Sequence, residues 1–140
     1  VKRRFSRLPE NAISTIAACS RMIPRVAFMM AQEVEEEVLL SDDGDIRACV
    51  RRVMHGRGVR YANGLTRDDV RYLELLQREQ RALGENAIKA QLSDLDPLRV
   101  TDDIEPYLML LGLIGITQKG RQITASGQRF MREAREISGR

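Results

Sequence analysis

The chain has 140 residues, 43% hydrophobic and 31% charged, with a formal net charge of +3. That length can bury one ordinary core or two small ones, and the composition excludes a largely disordered chain. The longest apolar run, Tyr107 to Ile116, is ten residues against about 20 for a bilayer crossing, and no charged-then-apolar leader opens the sequence, so the expectation is a cytoplasmic protein with no membrane segment.

The chain opens at Val1 on a basic cluster, Lys2, Arg3, Arg4 and Arg7, and without an initiator methionine it reads as a piece of something longer. Ala12, Ile13, Ile16 and Ala17 give a first short helical face. Pro24 then opens a longer helix in which Val26, Met30, Val34 and Val38 recur every four residues, with Gln32 and the glutamates Glu33 and Glu35 to Glu37 on its other side. After the Ser41-Asp-Asp-Gly-Asp45 turn, Ile46, Cys49, Val50 and Val53 fall at helical spacing, and Gly56 and Gly58 stop that third helix. Cys19 and Cys49 sit among apolar neighbours, which favours small buried thiols in a reducing compartment over a disulfide. The single His55 has no ligand-spaced companions, so no metal site is expected.

Residues 56–64 carry three glycines and no apolar period, which places a domain boundary near 58, with units of 1–58 and 59–140. Thr66 can cap the next helix, whose first turn holds Asp68 and Asp69 and whose buried side is Val70, Leu73 and Leu76. Ala87, Ile88, Ala90, Gln91 and Leu92 predict a shorter helix after Gly84. Ile104, Tyr107, Leu108 and Leu111 predict a third, in which Pro106 must occupy the first turn or bend the helix. The period then changes: Leu113, Ile114 and Ile116, then Ile123 and Thr124, read as two short strands around a Lys119-Gly120 turn. Three helices followed by a basic hairpin is the winged-helix plan. Ser126 to Ile137, with Phe130, Met131, Ala134 and Ile137 as its apolar side, predicts a last helix that packs back on the hairpin.

From about Ala12 to Phe130 the sequence resembles the carboxy-terminal part of the RuvB family, the AAA+ motors of Holliday-junction branch migration. Glu105-Pro-Tyr-Leu108, then Gly112-Leu-Ile114, then Thr117-Gln-Lys-Gly-Arg-Gln-Ile-Thr124 stand in the order and spacing of that family's Glu-Pro-Tyr-Leu, Gly-Phe-Leu and Thr-Pro-Arg-Gly-Arg segments. Gly64-Leu65 with Asp69 and Arg71 resembles the opening of the family's winged helix. Cys19-Ser-Arg-Met-Ile-Pro-Arg25 is similar to the lid segment Ser-Arg-Gly-Thr-Pro-Arg, with Met22 and Ile23 in place of its glycine and threonine. Arg81-Ala-Leu-Gly-Glu-Asn86 stands where the family has a glycine-rich turn with proline and valine.

The resemblance implies a mainly α fold, an AAA+ helical lid followed by a winged-helix domain with a small β-hairpin wing. It makes Arg25, behind Pro24 at a helix start, the sensor-2 arginine that contacts the γ-phosphate of ATP. No glycine-rich phosphate loop ending in Lys-Ser or Lys-Thr, and no strand-borne acidic residue for magnesium, occurs in the chain, so catalysis, ATP and magnesium belong to the longer parent protein, working as a homo-oligomeric ring with a junction-binding partner. For DNA, Asp102, Asp103 and Glu105 at the start of the presumed recognition helix would repel phosphate, which moves the expected contact to the wing: Lys119 and Arg121 beside its turn, with Arg129 nearby in sequence, binding backbone without regard to base sequence. A non-enzymatic winged-helix DNA-binding regulator and a protein-docking module are the alternatives, since fold does not fix function.

Overall fold

The computed structural model describes residues 7–42 and 44–137. Of the basic and acidic clusters read from the sequence, Lys2, Arg3, Arg4, Asp43 and Arg140 lie outside the described residues. The chain divides into two compact units, 1–66 with 135–140, and 67–134.

The first unit is three helices: α1 (Glu10–Cys19), α2 (Pro24–Leu40) and α3 (Ile46–Gly56). Ile16 and Cys19 of α1, Met30, Ala31 and Val34 of α2, and Val50, Val53 and Met54 of α3 close one apolar core. Pro24 stands in the first turn of α2, where its missing N–H costs nothing, and the Asp45 carboxylate caps α3 by accepting from the Ala48 N–H at 3.3 Å. At the other end of α3, Gly58 adopts φ +85° while its N–H donates to the His55 carbonyl and the Val59 N–H donates to Met54, both at 3.0 Å. These two bonds make a Schellman motif, and they turn Val59 back onto Met54 in the core.

The boundary expected near residue 58 falls just before a tight loop in which Val59 pairs with Thr66 and Arg60 donates to Leu65 at 2.9 Å. Gly64, at φ +89°, closes this loop; a side chain there would press on the Ala18 and Cys19 carbonyls. The residues that look like a linker are therefore packed against α1, and the contact division falls after Thr66.

The second unit comprises α4 (Arg67–Glu79), α5 (Glu85–Gln91), the single turn α6 (Pro97–Arg99), a π turn (Val100–Ile104), α7 (Glu105–Leu110), β1 (Ile114–Thr117), β2 (Gly120–Ile123) and α8 (Ala125–Glu133). Tyr72, Leu73, Leu76, Ile88, Val100, Ile104 and Leu108 are almost fully buried in it. Pro106 shapes the π turn. A proline at 106 cannot donate to the carbonyl four residues back, and the Glu105 N–H skips to the Val100 carbonyl instead, so the helix is widened immediately before the proline. Gly112, at φ +72°, ends α7 in a second Schellman arrangement, with Leu113 donating to Leu108 at 3.0 Å.

The wing is the antiparallel pair β1–β2, in register from Ile114 opposite Ile123 to Thr117 opposite Gly120. The connecting residues are Gln118 and Lys119, so Gly120 is the first residue of β2 and adopts φ +125°. Leu83 adds an isolated bridge on the other edge of β2. It exchanges both backbone bonds with Arg121, at 2.9 and 2.7 Å. Gly120 lies flush against the Leu83 carbonyl, leaving no room for a Cβ. The segment Arg81–Asn86, which departs from the family pattern, thus supplies a single-residue bridge beside the wing.

The last helix differs from its expected extent. It starts at the Thr124 cap, whose hydroxyl accepts from the Gly127 N–H at 3.0 Å, and stops at Glu133, where Ala134 is extended. It packs on β2 as expected and also on α4, through a Gln77–Gln128 hydrogen bond of 2.9 Å. Ile137 belongs to the first unit instead, its N–H donating to the Arg60 carbonyl at 2.6 Å and its side chain lying on that unit's core.

Candidate functional site

Arg25 is the second residue of α2, exposed, with no side-chain hydrogen bond or ion pair among the described residues. No side chain caps this helix start, and the first backbone bond of α2 is made by Ala27, to Ile23 at 3.0 Å. The Arg25 and Val26 amides therefore point along the helix axis beside a free guanidinium, an arrangement suited to an anionic oxygen. The chain reaches this point through a tight turn, Ser20–Ile23, closed by the Ile23 N–H on the Ser20 carbonyl at 3.2 Å. Its two central residues, Arg21 and Met22, have φ +57° and +63°. Both are left-handed, which is costly for any residue but glycine or asparagine. Met22, where the lid segment of the family carries glycine, keeps that glycine-like backbone and exposes 72% of its surface.

A cavity of about 650 Å³ in the first unit, between α1 and α3, is lined by Pro9, Asn11, Thr15, Ile46, Arg47 and Arg51 among others, and does not include Arg25. It lies by the opposite end of α1. Cys19 is buried, its thiol pushed up to about 11 by burial, and takes no part in either site.

In the second unit the three expected cations have different employments. Lys119, in the wing turn, is exposed; its backbone N–H donates to the Thr117 hydroxyl at 3.2 Å, and its side chain has no bonded partner among the described residues. Arg129 is exposed on α8 with no bonded partner among the described residues. Arg121, expected beside Lys119 as a DNA-backbone contact, has its guanidinium turned inward. Its Nε donates to Glu105 at 2.9 Å and Nη2 lies 3.4 Å from the other carboxylate oxygen, with Glu85 at 3.7 Å. Glu105 also accepts from the buried Tyr72 hydroxyl at 2.7 Å. Burial pulls the Arg121 guanidinium down, but the Glu105 carboxylate more than offsets it and leaves the group more basic than usual. Burial, and then Glu105, raise Tyr72 above the ordinary tyrosine range.

Glu105 is itself 4% exposed. Of the three carboxylates expected to repel phosphate, it is therefore internal, while Asp102 and Asp103 remain exposed. Arg99 bridges Asp68 at 2.7 Å and approaches Asp103 at 3.9 Å. The outer surface of the π turn and α7 offers Asp102, Asp103, Pro106, Met109 and Leu110 and no cation. Such a face presents apolar surface and negative charge, which a phosphate backbone would repel. Arg71, matched to the family's opening motif, holds Asp94 through two bonds of 2.7 and 2.8 Å and so ties α4 to the turn after α5. Sequence reasoning missed the Tyr72–Glu105–Arg121 network, whose members stand 33 and 16 residues apart and show no spacing signal.

The family model of the RuvB C-terminal winged helix domain matches residues 62–132. The chain belongs to the RuvB family. Among curated relatives, the Holliday junction branch migration complex subunit RuvB of Mycoplasma genitalium is 32% identical over 124 residues, 89% of this chain and 38% of the relative. The same subunit of Campylobacter concisus is 37% identical over 119 residues, 83% of this chain and 34% of the relative. The chain thus spans less than two fifths of the curated relatives it matches. A solved point mutant of Thermotoga maritima RuvB superposes with a TM-score of 0.76 at 25% identity, over 94% of this chain and 45% of that one. A second Thermotoga maritima structure, titled as the Holliday junction branch migration motor, gives 0.68 over 84% of this chain and 40% of that one. The RuvB winged helix is therefore the fold of the second unit, and the mainly α architecture with a two-stranded wing agrees with these structures. Among the described residues no helix is long and apolar enough to cross a membrane.

Proposed function

We propose that this chain is the nucleotide-sensing and DNA-contacting end of an ATP-dependent branch-migration motor, with α1–α3 as the lid and the wing and α8 as the DNA backbone contact. The observation that carries the DNA part is the separation of roles at the wing. Lys119 and Arg129 are exposed and unpaired among the described residues, while Arg121 is spent internally and the α7 face is acidic and apolar. Contact through two flexible, exposed cations is backbone contact, indifferent to sequence. Arg121 then serves by holding β2 so that Lys119 projects.

The lid part rests on Arg25. What this chain's residues fit is one anionic oxygen at the start of α2, and ATP and magnesium would be held mainly by a phosphate loop and an acidic strand elsewhere in the longer protein. Bound there, ATP supplies the energy of phosphoryl transfer; Arg25 and the α2 amides would register whether the terminal phosphate is present. Assembly as a ring, and delivery to junctions by a partner protein, belong to the same proposal.

Lys119→Ala and Arg129→Ala test it in the 140-residue chain. Each should weaken binding alike on unrelated duplexes and reduce the slope of log K against log salt by roughly 0.9 per lost phosphate contact. Titrations indistinguishable from the parent at low salt would remove the wing from the reading. In the longer motor, Arg25→Ala should uncouple turnover from DNA without altering the unfolding curve. A docking role is the second reading, favoured by Met109 and Leu110, 45% and 61% exposed on the α7 face; binding that strengthens with salt would select it.

A further inference from the structure

Glutamines gather at one place in the second unit. Gln77 and Gln80 at the end of α4, Gln122 on β2 and Gln128 on α8 line a cleft of about 410 Å³, with Leu76 and Ile123 as its remaining walls. They are four of the seven glutamines in the chain, and no charged side chain lines the cleft. The volume is within the range of small-ligand sites.

The amides are partly organised and partly unspent. Gln77 donates to the Gln128 carbonyl oxygen at 2.9 Å, which leaves the Gln77 oxygen and the Gln128 nitrogen available. The side chains of Gln80 and Gln122 have no hydrogen-bond partner among the described residues. Gln80 is held at φ +56°, a left-handed backbone that costs a glutamine about 1 kcal/mol or more and that ends α4 with this residue at the cleft. On β2, alternation sends Arg121 to Glu105 and its neighbour Gln122 to the opposite side.

The chemistry of the lining selects its ligand. An anion would lose hydration without gaining a cation, so phosphate belongs with Lys119 and Arg129 outside the cleft. A neutral group with an apolar body and a mixed donor and acceptor edge suits amides around Leu76 and Ile123. A nucleobase has that form. A paired base is recessed in a groove and is met by a protruding side chain, whereas a concave cleft receives a base that projects. Rotatable amides offer donors and acceptors to any of the four bases.

We infer that the Gln77–Gln80–Gln122–Gln128 cleft is a binding site for an unpaired nucleobase of DNA whose backbone is held by Lys119 and Arg129. The inference rests on the DNA reading above and adds to it a preference for strands with a base displaced from the stack.

Fluorescence anisotropy of the full chain tests this on three DNAs: a perfect duplex, the duplex with a single-nucleotide bulge, and the same bulge lacking its base. The bulge with its base should bind about five- to tenfold more tightly than the abasic bulge, the worth of one or two new hydrogen bonds. Gln122→Leu combined with Gln80→Gly should abolish that difference and leave duplex affinity unchanged. Both side chains are exposed and without a hydrogen-bond partner among the described residues, and circular dichroism would verify the fold. Lys119→Ala should weaken all three DNAs equally. Equal binding of the two bulges, or a preference that survives the double substitution, overturns the cleft while leaving backbone contact intact. Absence of binding to all three DNAs overturns both readings.

Discussion

Removing the Arg121 guanidinium distinguishes an internal clamp from a DNA contact. In Arg121→Ala the Glu105 carboxylate, 6% exposed as a side chain, keeps only the Tyr72 hydroxyl as a close partner. Stripping one member from a buried pair costs about 3–5 kcal/mol, and the guanidinium, being 18% exposed, belongs at the lower end of that range. A loss of about 3 kcal/mol is therefore expected, a large fraction of the stability of so small a unit. Much of it should return in the Glu105→Gln, Arg121→Ala double variant, because the uncompensated charge is then gone; the cycle coupling should be at least 1 kcal/mol. Lys119→Ala, at an exposed turn, should cost less than about 0.5 kcal/mol. Urea unfolding monitored by circular dichroism measures the parent, these variants and Glu105→Gln alone, which closes the cycle, and DNA titration of the same samples separates affinity from stability. If Arg121→Ala unfolds like the parent yet loses as much DNA affinity as Lys119→Ala, the guanidinium is on the phosphate and the clamp is wrong.

Three further outcomes follow from the same geometry. Met22→Gly should stabilise the first unit by up to about 1 kcal/mol in thermal unfolding, the relief of a left-handed φ less the entropy of a freer unfolded chain; a loss of stability would mean that the Met22 side chain contributes packing despite its exposure. Gly120→Ala should cost 2 kcal/mol or more, since a Cβ meets the Leu83 backbone and φ is already +125°, and amide exchange at Leu83 should rise first. Stability should fall as pH rises past about 9. The Cys19 thiol, raised by burial from 9.0 to about 11, stays protonated in the folded chain while the unfolded chain ionises, so its contribution is complete below pH 9 and lost by about pH 11, roughly 3 kcal/mol in all. Tyr72 extends the loss above pH 10, and Cys19→Ala should flatten only the lower part of the curve.

Local signals fixed much of this molecule. Apolar spacing located α1 to α4 and α7, because one buried face per helix is written directly in the period of Ile16, Val34, Val53, Leu73 and Leu108. Glycines marked the ends of α3 and α7, since the positive φ of Gly58 and Gly112 is a local requirement. The ordered Glu-Pro-Tyr-Leu and Thr-Gln-Lys-Gly-Arg segments carried the family. Only the tertiary structure decided what the polar residues do. Arg121 and Lys119 are two positions apart and read alike in a basic hairpin, yet strand alternation and the turn send one to Glu105 and the other to solvent. Glu105 changed from a repulsive surface charge to a buried partner for the same reason: its companions come from α4 and β2. The glutamine cleft, too, is assembled from three elements, and no spacing along the chain announces it. Helices are dictated by neighbours in sequence; charge pairing, and with it the choice of which cation is free for DNA, is dictated by neighbours in space.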